Sequence, residues 1–255
     1  MDGPGVAPVA PAAPRAPLGP VLGWSLLDLL LAGGIVFGVG VLAAVALGAM
    51  RNAGVDLGPS QPELGGMPSV FVPVSLLGTV LAGLALWALH RARLPAAPRP
   101  WTPRLGIAVV GVALTLQAAA IAFTALMDRL GTSTAGSNLA IIDAAFAAAP
   151  ALTLLTTVLL APIGEELVFR RVLLHRFAQA RRPALGLVLT SFGFALIHEP
   201  LPAGRELLTW GLTLATYASL GLGFGLLYLR SGRLDAAILA HVLVNAVGMA
   251  LLLVA

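Results

Sequence analysis

Long apolar runs make up most of this chain, and polar positions are confined to short intervals between them. The pattern predicts about seven transmembrane helices, because a spanning helix needs roughly 20 consecutive, mostly apolar residues. The predicted spans are residues 22–50, 68–90, 105–127, 144–164, 184–199, 206–229 and 234–254. We expect the fourth to continue as one long helix to about residue 177. The sequence therefore predicts an all-α polytopic membrane protein, with eight helices as an alternative.

Composition supports this class and excludes several functions. Of the 255 residues, 58% are hydrophobic and only 10% are charged, whereas soluble domains are about 25% charged. The chain has no cysteine, which excludes disulfides and thiolate catalysis. All 15 basic residues are arginines beside apolar runs. Because they form no basic stripe, we expect the lipid bilayer as a partner and no nucleic acid.

Arginine positions predict the orientation and the domain organisation. With the N-terminus inside, twelve arginines fall in inside segments and three (Arg51, Arg129 and Arg205) in outside segments. The positive-inside rule then predicts a cytoplasmic N-terminus, and seven spans place the C-terminus outside. We expect a disordered Pro/Ala-rich tail over 1–20, N-terminal transmembrane helices over 21–135 and a functional domain over 140–255.

The main candidate for chemistry is a pair of acids, Glu165 and Glu166, within the fourth apolar segment. An ionisable group in such a segment indicates a functional site. Glu166 and Arg170 are one helical turn apart, so we expect them to form an ion pair. Glu165 is rotated by about 100° from Glu166 and faces elsewhere. The alternative is a structural ion-pair cluster at the membrane surface.

Three further polar residues lie in the last spans. His198 ends the fifth span, within Phe194-x-x-x-His198, and His241 lies one turn before Asn245 in the seventh. Each histidine alone is more typical of helix–helix hydrogen bonding, but Glu, His, His and Asn on three helices favour catalysis. The carboxylate could activate water as a general base, with His and Asn donors stabilising an oxyanion. Alternatively Glu165, His198 and His241 could hold zinc with an open water position.

Smaller signals concern backbone and packing. Pro162 with Gly164 could kink the fourth helix and open a wet cavity beside Glu165, or simply bend it. Gly34/Gly38 and Gly221/Gly225 are small-xxx-small pairs that predict close helix packing. Asp28, in the first span, could be a proton-relay acid, but a hydrogen bond to a neighbouring helix is the favoured interpretation.

A zinc-protease motif starting at His198-Glu199 is excluded, because the second histidine would fall at Pro202. The ordered set Glu165-Glu166-x-x-x-Arg170, Phe194-x-x-x-His198 and His241-x-x-x-Asn245 resembles the CPBP family of CAAX proteases and bacteriocin-processing enzymes. The resemblance covers about residues 145–250. It implies a seven- or eight-helix protease core with Glu165 as the water-activating base, assisted by His198. His241 and Asn245 would form the oxyanion or metal side, with Glu166 and Arg170 supporting the site. Metal-dependent and metal-free mechanisms both fit the family.

The leading hypothesis is an intramembrane endopeptidase of a bacterial plasma membrane. It would cut membrane-associated or CAAX-like peptides delivered near the cytoplasmic half of the bilayer. The alternatives are a non-catalytic immunity or scaffold protein, and a proton-coupled carrier using Asp28 and Glu165.

Helical rise sets a condition on this shared site. It places Glu165 about 16 Å from Arg176 but His198 about 24 Å from Arg182. We therefore expect residues 182–188 to project above the bilayer, or the fifth helix to tilt. A separation of Glu165 and His198 above about 10 Å would exclude the shared site.

Overall fold

The computed structural model describes residues 14–91, 99–129, 131, 139–199 and 206–254. These residues form eight helices, with one helix or part of one for every predicted span. The helices are α1 (Leu18–Asn52), α2 (Phe71–His90), α3 (Pro103–Arg129), α4 (Leu139–Ala148), α5 (Pro150–Gln179), α6 (Pro183–His198), α7 (Leu207–Ser231) and α8 (Leu234–Val254). A two-stranded antiparallel hairpin, β1 (Ser60–Gln61) and β2 (Met67–Pro68), joins α1 to α2, with Gln61 opposite Met67. A 3-10 turn, Pro62–Leu64, lies between the two strands.

Six of these helices are long and apolar enough to cross a membrane. The exception among the predicted spans is α6, whose 16 residues rise about 24 Å against a hydrocarbon core of about 30 Å. In the most apolar 18-residue stretch of α5, 56% of the residues are buried, against 11–33% in the same stretch of the other five long helices. The chain is therefore an integral membrane protein in which α5 is the central helix.

Two predicted boundaries are wrong. The fourth span does not start at residue 144, because α4 ends at Ala148 and α5 begins at Pro150. Ala149 lies outside the helical region, with φ −148° and ψ 70°, since a residue before proline is disfavoured there. The continuation of this helix past residue 177 is confirmed. Helix α1 begins at Leu18, inside the predicted tail of residues 1–20, and residues 1–13 lie outside the described part.

Helix α5 changes its winding around the two acids. Residues Leu155–Leu160 and Leu167–Leu174 are π-helical, and the α-helical turns between them, Ala161–Glu166, contain Pro162. In the first π stretch each N–H bonds five residues back, as Ala161 N does to Thr156 O. The next donor in that register would be Pro162, which has no N–H. The proline therefore leaves the carbonyl of Thr157 without its helical partner.

Glycines set two close helix contacts. A Cβ on Gly164 would lie 2.5 Å from the carbonyl oxygen of Thr79, so α2 and α5 meet backbone to backbone there. Gly221 and Gly225 of α7 likewise pack against α6, which confirms that predicted pair. The other pair, Gly34 and Gly38, is not a packing site within the described chain, because a Cβ on either would meet no atom within 4 Å.

The two ends of the helix bundle differ in their number of arginines. Ala16 N donates to Ala180 O over 3.3 Å, and Arg99 Nη1 donates to Arg230 O over 3.1 Å. We call the end formed by residues 14–18, 90–91, 99–104, 176–183 and 230–235 the arginine-rich end. The opposite end, formed by residues 51–71, 139–150, 206–207 and 252–254, is the arginine-poor end. A Cβ on Gly58 would lie 3.3 Å from that of Ala148, so α4 and the segment after α1 meet there.

Candidate active site

Three helices bring the predicted acid and both predicted histidines together. Glu165, in the middle of α5, places Oε2 3.8 Å from His198 Nε2, at the end of α6. The same oxygen lies 3.7 Å from Nε2 of His241, on α8. Glu165 and His241 are buried, with exposed fractions of 7% and 3%. The separation is far below the 10 Å that would have excluded a shared site.

The second acid, Glu166, has two partners. Its Oε2 lies 3.1 Å from Arg170 Nε, so the predicted ion pair is confirmed. Its Oε1 lies 3.0 Å from His241 Nδ1, a contact that the sequence analysis did not predict. Glu166 and Arg170 are fully buried, at 0% and 1% exposed, which excludes the alternative of a surface cluster. Glu166 thus links Arg170 to the histidine that faces Glu165.

Arg170 is held inside the bundle by further contacts. Its Nη2 donates to the carbonyl of Gly221 over 3.0 Å. Its guanidinium carbon lies 4.9–5.9 Å from the ring centroids of Phe169, Phe194 and Phe224, within the range of cation–π attraction. The arginine therefore joins α5 to α7 directly beneath the acids.

The hydrogen bonds at Nδ1 fix how both histidines face Glu165. His198 Nδ1 lies 2.9 Å from the carbonyl oxygen of Phe194, which only accepts, so that nitrogen carries the hydrogen. His241 Nδ1 faces the Glu166 carboxylate, and we assign its hydrogen in the same way. In the neutral rings both Nε2 atoms then carry lone pairs directed at Glu165 Oε2. That oxygen is buried and has no hydrogen-bond partner among the described residues, so a proton, a water or a cation would be held there.

The same arrangement can be compared with a metal site. Metal-bound histidines typically donate their other N–H to a carboxylate or a backbone carbonyl, and Glu166 and Phe194 provide these acceptors. The 3.7 and 3.8 Å separations exceed by about 0.4 Å the edge of a zinc tetrahedron with bonds of about 2.0–2.1 Å. Within the described chain no three such side chains form a ready-made metal cluster. Glu165, His198 and His241 fit a divalent ion in donor type, after a small inward movement.

Aromatic rings fix the planes of both imidazoles. The His198 ring lies between Phe194 and Tyr217, at centroid distances of 4.4 and 4.7 Å. His241 stacks on Phe224 at 4.5 Å. Sequence reasoning identified Phe194 by its spacing but missed Tyr217 and Phe224, because both lie on α7 and no local pattern connects that helix to either histidine.

Asn245 contacts the backbone that Pro162 leaves unpaired. Its Nδ2 donates to Thr157 O over 2.9 Å, joining α8 to the π-helical part of α5. The amide has a second N–H and an acceptor oxygen, and Asn245 also lines the cavity beside Glu165. The proline and the asparagine, which are 83 positions apart in the sequence, thus form one structural unit.

A cavity of about 460 Å³ adjoins the cluster. Its wall includes Glu165, His198, His241 and Asn245, with apolar side chains beyond them. Helices α2 and α3, which lie outside the predicted functional domain, also contribute to this wall, through Leu76 and Gln117 among others. The predicted opening beside Glu165 is therefore present.

Asp28 belongs to another group of contacts. Its Oδ1 lies 3.0 Å from His90 Nε2, and its Oδ2 accepts from Arg176. This confirms the favoured interpretation, a bond to neighbouring helices. It also places Arg176 inside the bundle, where it is a poor marker of the membrane surface. Counted from the turn at residues 180–182, Glu165 and His198 both lie about 22–24 Å along their helices, so neither a projecting segment nor a tilted α6 is needed.

A buried carboxylate facing two imidazoles beside a cavity is an arrangement that can bind and activate water. Residues 147–247 match the family model of type II CAAX prenyl endopeptidases, Rce1-like. The matched range runs from the end of α4 into α8 and contains all six predicted site residues. The match covers less than half of the chain and supports, for this region, the resemblance to the CPBP/CAAX protease family. No curated protein and no solved structure matches the chain.

Proposed function

We propose that this protein is an intramembrane endopeptidase in which Glu165 activates the attacking water. The observation that carries the proposal is the convergence of Glu165 Oε2 with two histidine Nε2 atoms at 3.7 and 3.8 Å. Such a cluster binds water well, because one water can donate to the carboxylate and to a lone pair of His198. The cavity of about 460 Å³ beside it leaves room for a peptide segment.

In the first step the water oxygen attacks the peptide carbonyl carbon, and Glu165 accepts the water proton. In the second step the carbon–nitrogen bond breaks, and the proton passes from Glu165 to the departing amine. The products are a carboxylic acid and an amine, so one water is consumed. A carboxylate in hydrogen-bond reach of the water can perform both transfers as general base and then general acid.

His241 and Asn245 would stabilise the oxyanion. Glu166 faces His241 Nδ1 over 3.0 Å and would stabilise this ring as an imidazolium, much as the aspartate does in a serine-protease triad. A protonated His241 can then donate from Nε2 to the developing negative charge. The second N–H of Asn245 is the other donor, since the first bonds Thr157.

A divalent ion fits the same three side chains. Held by Glu165, His198 and His241, it would supply Lewis-acid activation of water and of the scissile carbonyl. Glu166 would then orient His241 as a ligand, and Phe194 O would orient His198. Both versions keep Glu165 at the reacting centre, so the choice between them depends on metal content.

The test is cleavage of a fluorogenic peptide library by purified protein in liposomes. We expect Glu165→Gln and His198→Ala to abolish cleavage, because the glutamine cannot accept the water proton and the alanine removes a contact to the water. The control is Arg104→Gln, an exposed residue at the start of α3 that should leave cleavage unchanged. If both site variants cleave as fast as the unmodified protein, the non-catalytic scaffold becomes the better explanation.

Metal dependence has a separate readout. Metal analysis of purified protein, with and without chelator, is compared between the unmodified chain and Glu165→Gln/His198→Ala. One bound ion per chain that is lost in the double variant indicates the metal version. Full activity after the metal has been removed indicates the metal-free one.

A further inference from the structure

A second cleft, which shares no wall residue with the cavity beside Glu165, lies between the last turns of α2 and α5. Its volume is about 50 Å³, whereas a single water needs only about 10–15 Å³. The wall is formed mainly by polar and aromatic side chains: Trp87 and His90 of α2, and Arg171, His175, Arg176 and Gln179 of α5. Each of these α5 residues lies three or four positions from another, so they share one face of the helix. Two arginines and two histidines thus converge on one small cleft near the arginine-rich end.

Arg176 and His90 are held in place by an acid of α1. Asp28 Oδ2 accepts from Arg176 Nη2, and Asp28 Oδ1 lies 3.0 Å from His90 Nε2. Arg176 Nη1 also donates to the hydroxyl of Ser25 over 3.2 Å. Asp28 therefore balances the charge of Arg176 and fixes this side chain in the wall of the cleft.

Arg171 has no such acid. In the part of the chain that the structure describes it forms no ion pair, and its neighbour is the neutral hydroxyl of Tyr228. A guanidinium only donates hydrogen bonds, so this hydroxyl accepts from Arg171 and donates to His175 Nδ1, 3.1 Å away. In the neutral ring, His175 Nε2 then carries the hydrogen, and this buried atom has no hydrogen-bond partner among the described residues. The cleft wall therefore contains one cation without a counter-charge and one donor without an acceptor.

The charge and the position of the cleft both favour a phosphate group as its ligand. With neutral histidines, two arginines against one aspartate leave one positive charge. A guanidinium matches the oxygens of a phosphate in geometry as well as in charge. Trp87 is 39% exposed, and indole rings are typical of the headgroup level of a bilayer. Basic pockets between membrane helices bind phosphate-bearing headgroups at that level.

We propose that the cleft between α2 and α5 binds a phosphate group, with Arg171, Arg176 and the Nε2 hydrogen of His175 as its donors. The headgroup of an anionic lipid and free inorganic phosphate present the same chemistry, and binding experiments can separate these two sources. The site is distinct from the cluster around Glu165, so the proposal does not depend on the endopeptidase function.

The test is calorimetric titration of the purified protein in a nonionic detergent. The ligands are dioctanoyl phosphatidylglycerol, dioctanoylglycerol (the same chains without the phosphate) and, separately, sodium phosphate. The variants are Arg171→Gln, which removes the cation that lacks a counter-charge, and Gln179→Glu, which adds a carboxylate at an exposed position of the wall. The second variant keeps the test decisive if the first does not fold. Arg104→Gln is the matched control, because it removes one exposed arginine outside the cleft.

We expect saturable binding of phosphatidylglycerol and none of dioctanoylglycerol. Arg171→Gln and Gln179→Glu should each weaken binding by about tenfold or more, since hydrogen bonds to charged groups are lost or opposed, while Arg104→Gln should change it by less than about twofold because of screening. Tighter binding of the lipid than of sodium phosphate assigns the site to a headgroup, and the reverse order assigns it to the free anion. Binding of neither ligand, or binding of equal strength in both cleft variants and the unmodified protein, would overturn the proposal.

Discussion

The buried ion pair beneath the acids gives the sharpest prediction about stability. In Arg170→Met the side chain keeps a similar length but loses its charge, while the Glu166 carboxylate stays in place at 0% exposure. Removing one partner of a buried ion pair costs about 3–5 kcal/mol, because the other charge is left uncompensated. This cost includes the loss of the hydrogen bond from Arg170 to Gly221 O. We therefore expect the folded-to-unfolded ratio to fall by about two to four orders of magnitude.

The measurement is equilibrium unfolding in mixed detergent micelles, followed by tryptophan fluorescence. The double variant Glu166→Gln/Arg170→Met should be more stable than Arg170→Met alone, since no uncompensated charge remains and the Gln carbonyl still accepts from His241. Arg104→Met, at an exposed position of α3, is the matched control and should change stability by no more than about 0.5 kcal/mol. A loss below about 1 kcal/mol in Arg170→Met, or a double variant less stable than the single one, would refute this reasoning.

Three other predictions concern packing and connections between helices. Gly164→Ala should destabilise the fold by about 1–3 kcal/mol, because its Cβ would lie 2.5 Å from a backbone oxygen of α2. In the control Gly111→Ala the new Cβ meets no neighbour, so this variant should be neutral or stabilising. Thermal unfolding compares the two variants. Asn245→Ala should abolish cleavage. It should also lower stability by about 1–3 kcal/mol, because Thr157 O is left unpaired. An unchanged melting temperature would contradict this structural role of Asn245. Asp28→Asn should lower stability but retain cleavage of the peptide library, whereas loss of cleavage at full stability would favour a proton relay.

The positions of the apolar runs predict most of the helices. Every predicted span has a helical counterpart because burial of apolar side chains in lipid depends on local composition and length. The break before Pro150 was missed because the apolar run continues across it, and only backbone geometry interrupts the helix. The two π-helical stretches of α5 were also outside the reach of the pattern, which carries no information about backbone register.

The acid pair, both histidines and Asn245 could be chosen from the sequence, since polar residues in apolar segments are costly and therefore informative. The ion pair of Glu166 with Arg170 followed from helical spacing. The bond from Glu166 to His241, the rings of Tyr217 and Phe224, and the use of Thr157 O by Asn245 did not. Each joins residues on different helices, so no spacing along the chain encodes it.

The sequence by itself determined that this is a helical membrane protein, which residues are candidates for its chemistry and where the arginines lie along the chain. Tertiary structure alone decided that Glu165 faces both imidazoles, that three phenylalanines surround the Arg170 guanidinium, and that a cavity adjoins the acid. The physical reason is that composition and periodicity act within a helix, whereas cavities and hydrogen-bond partners depend on how helices pack across it.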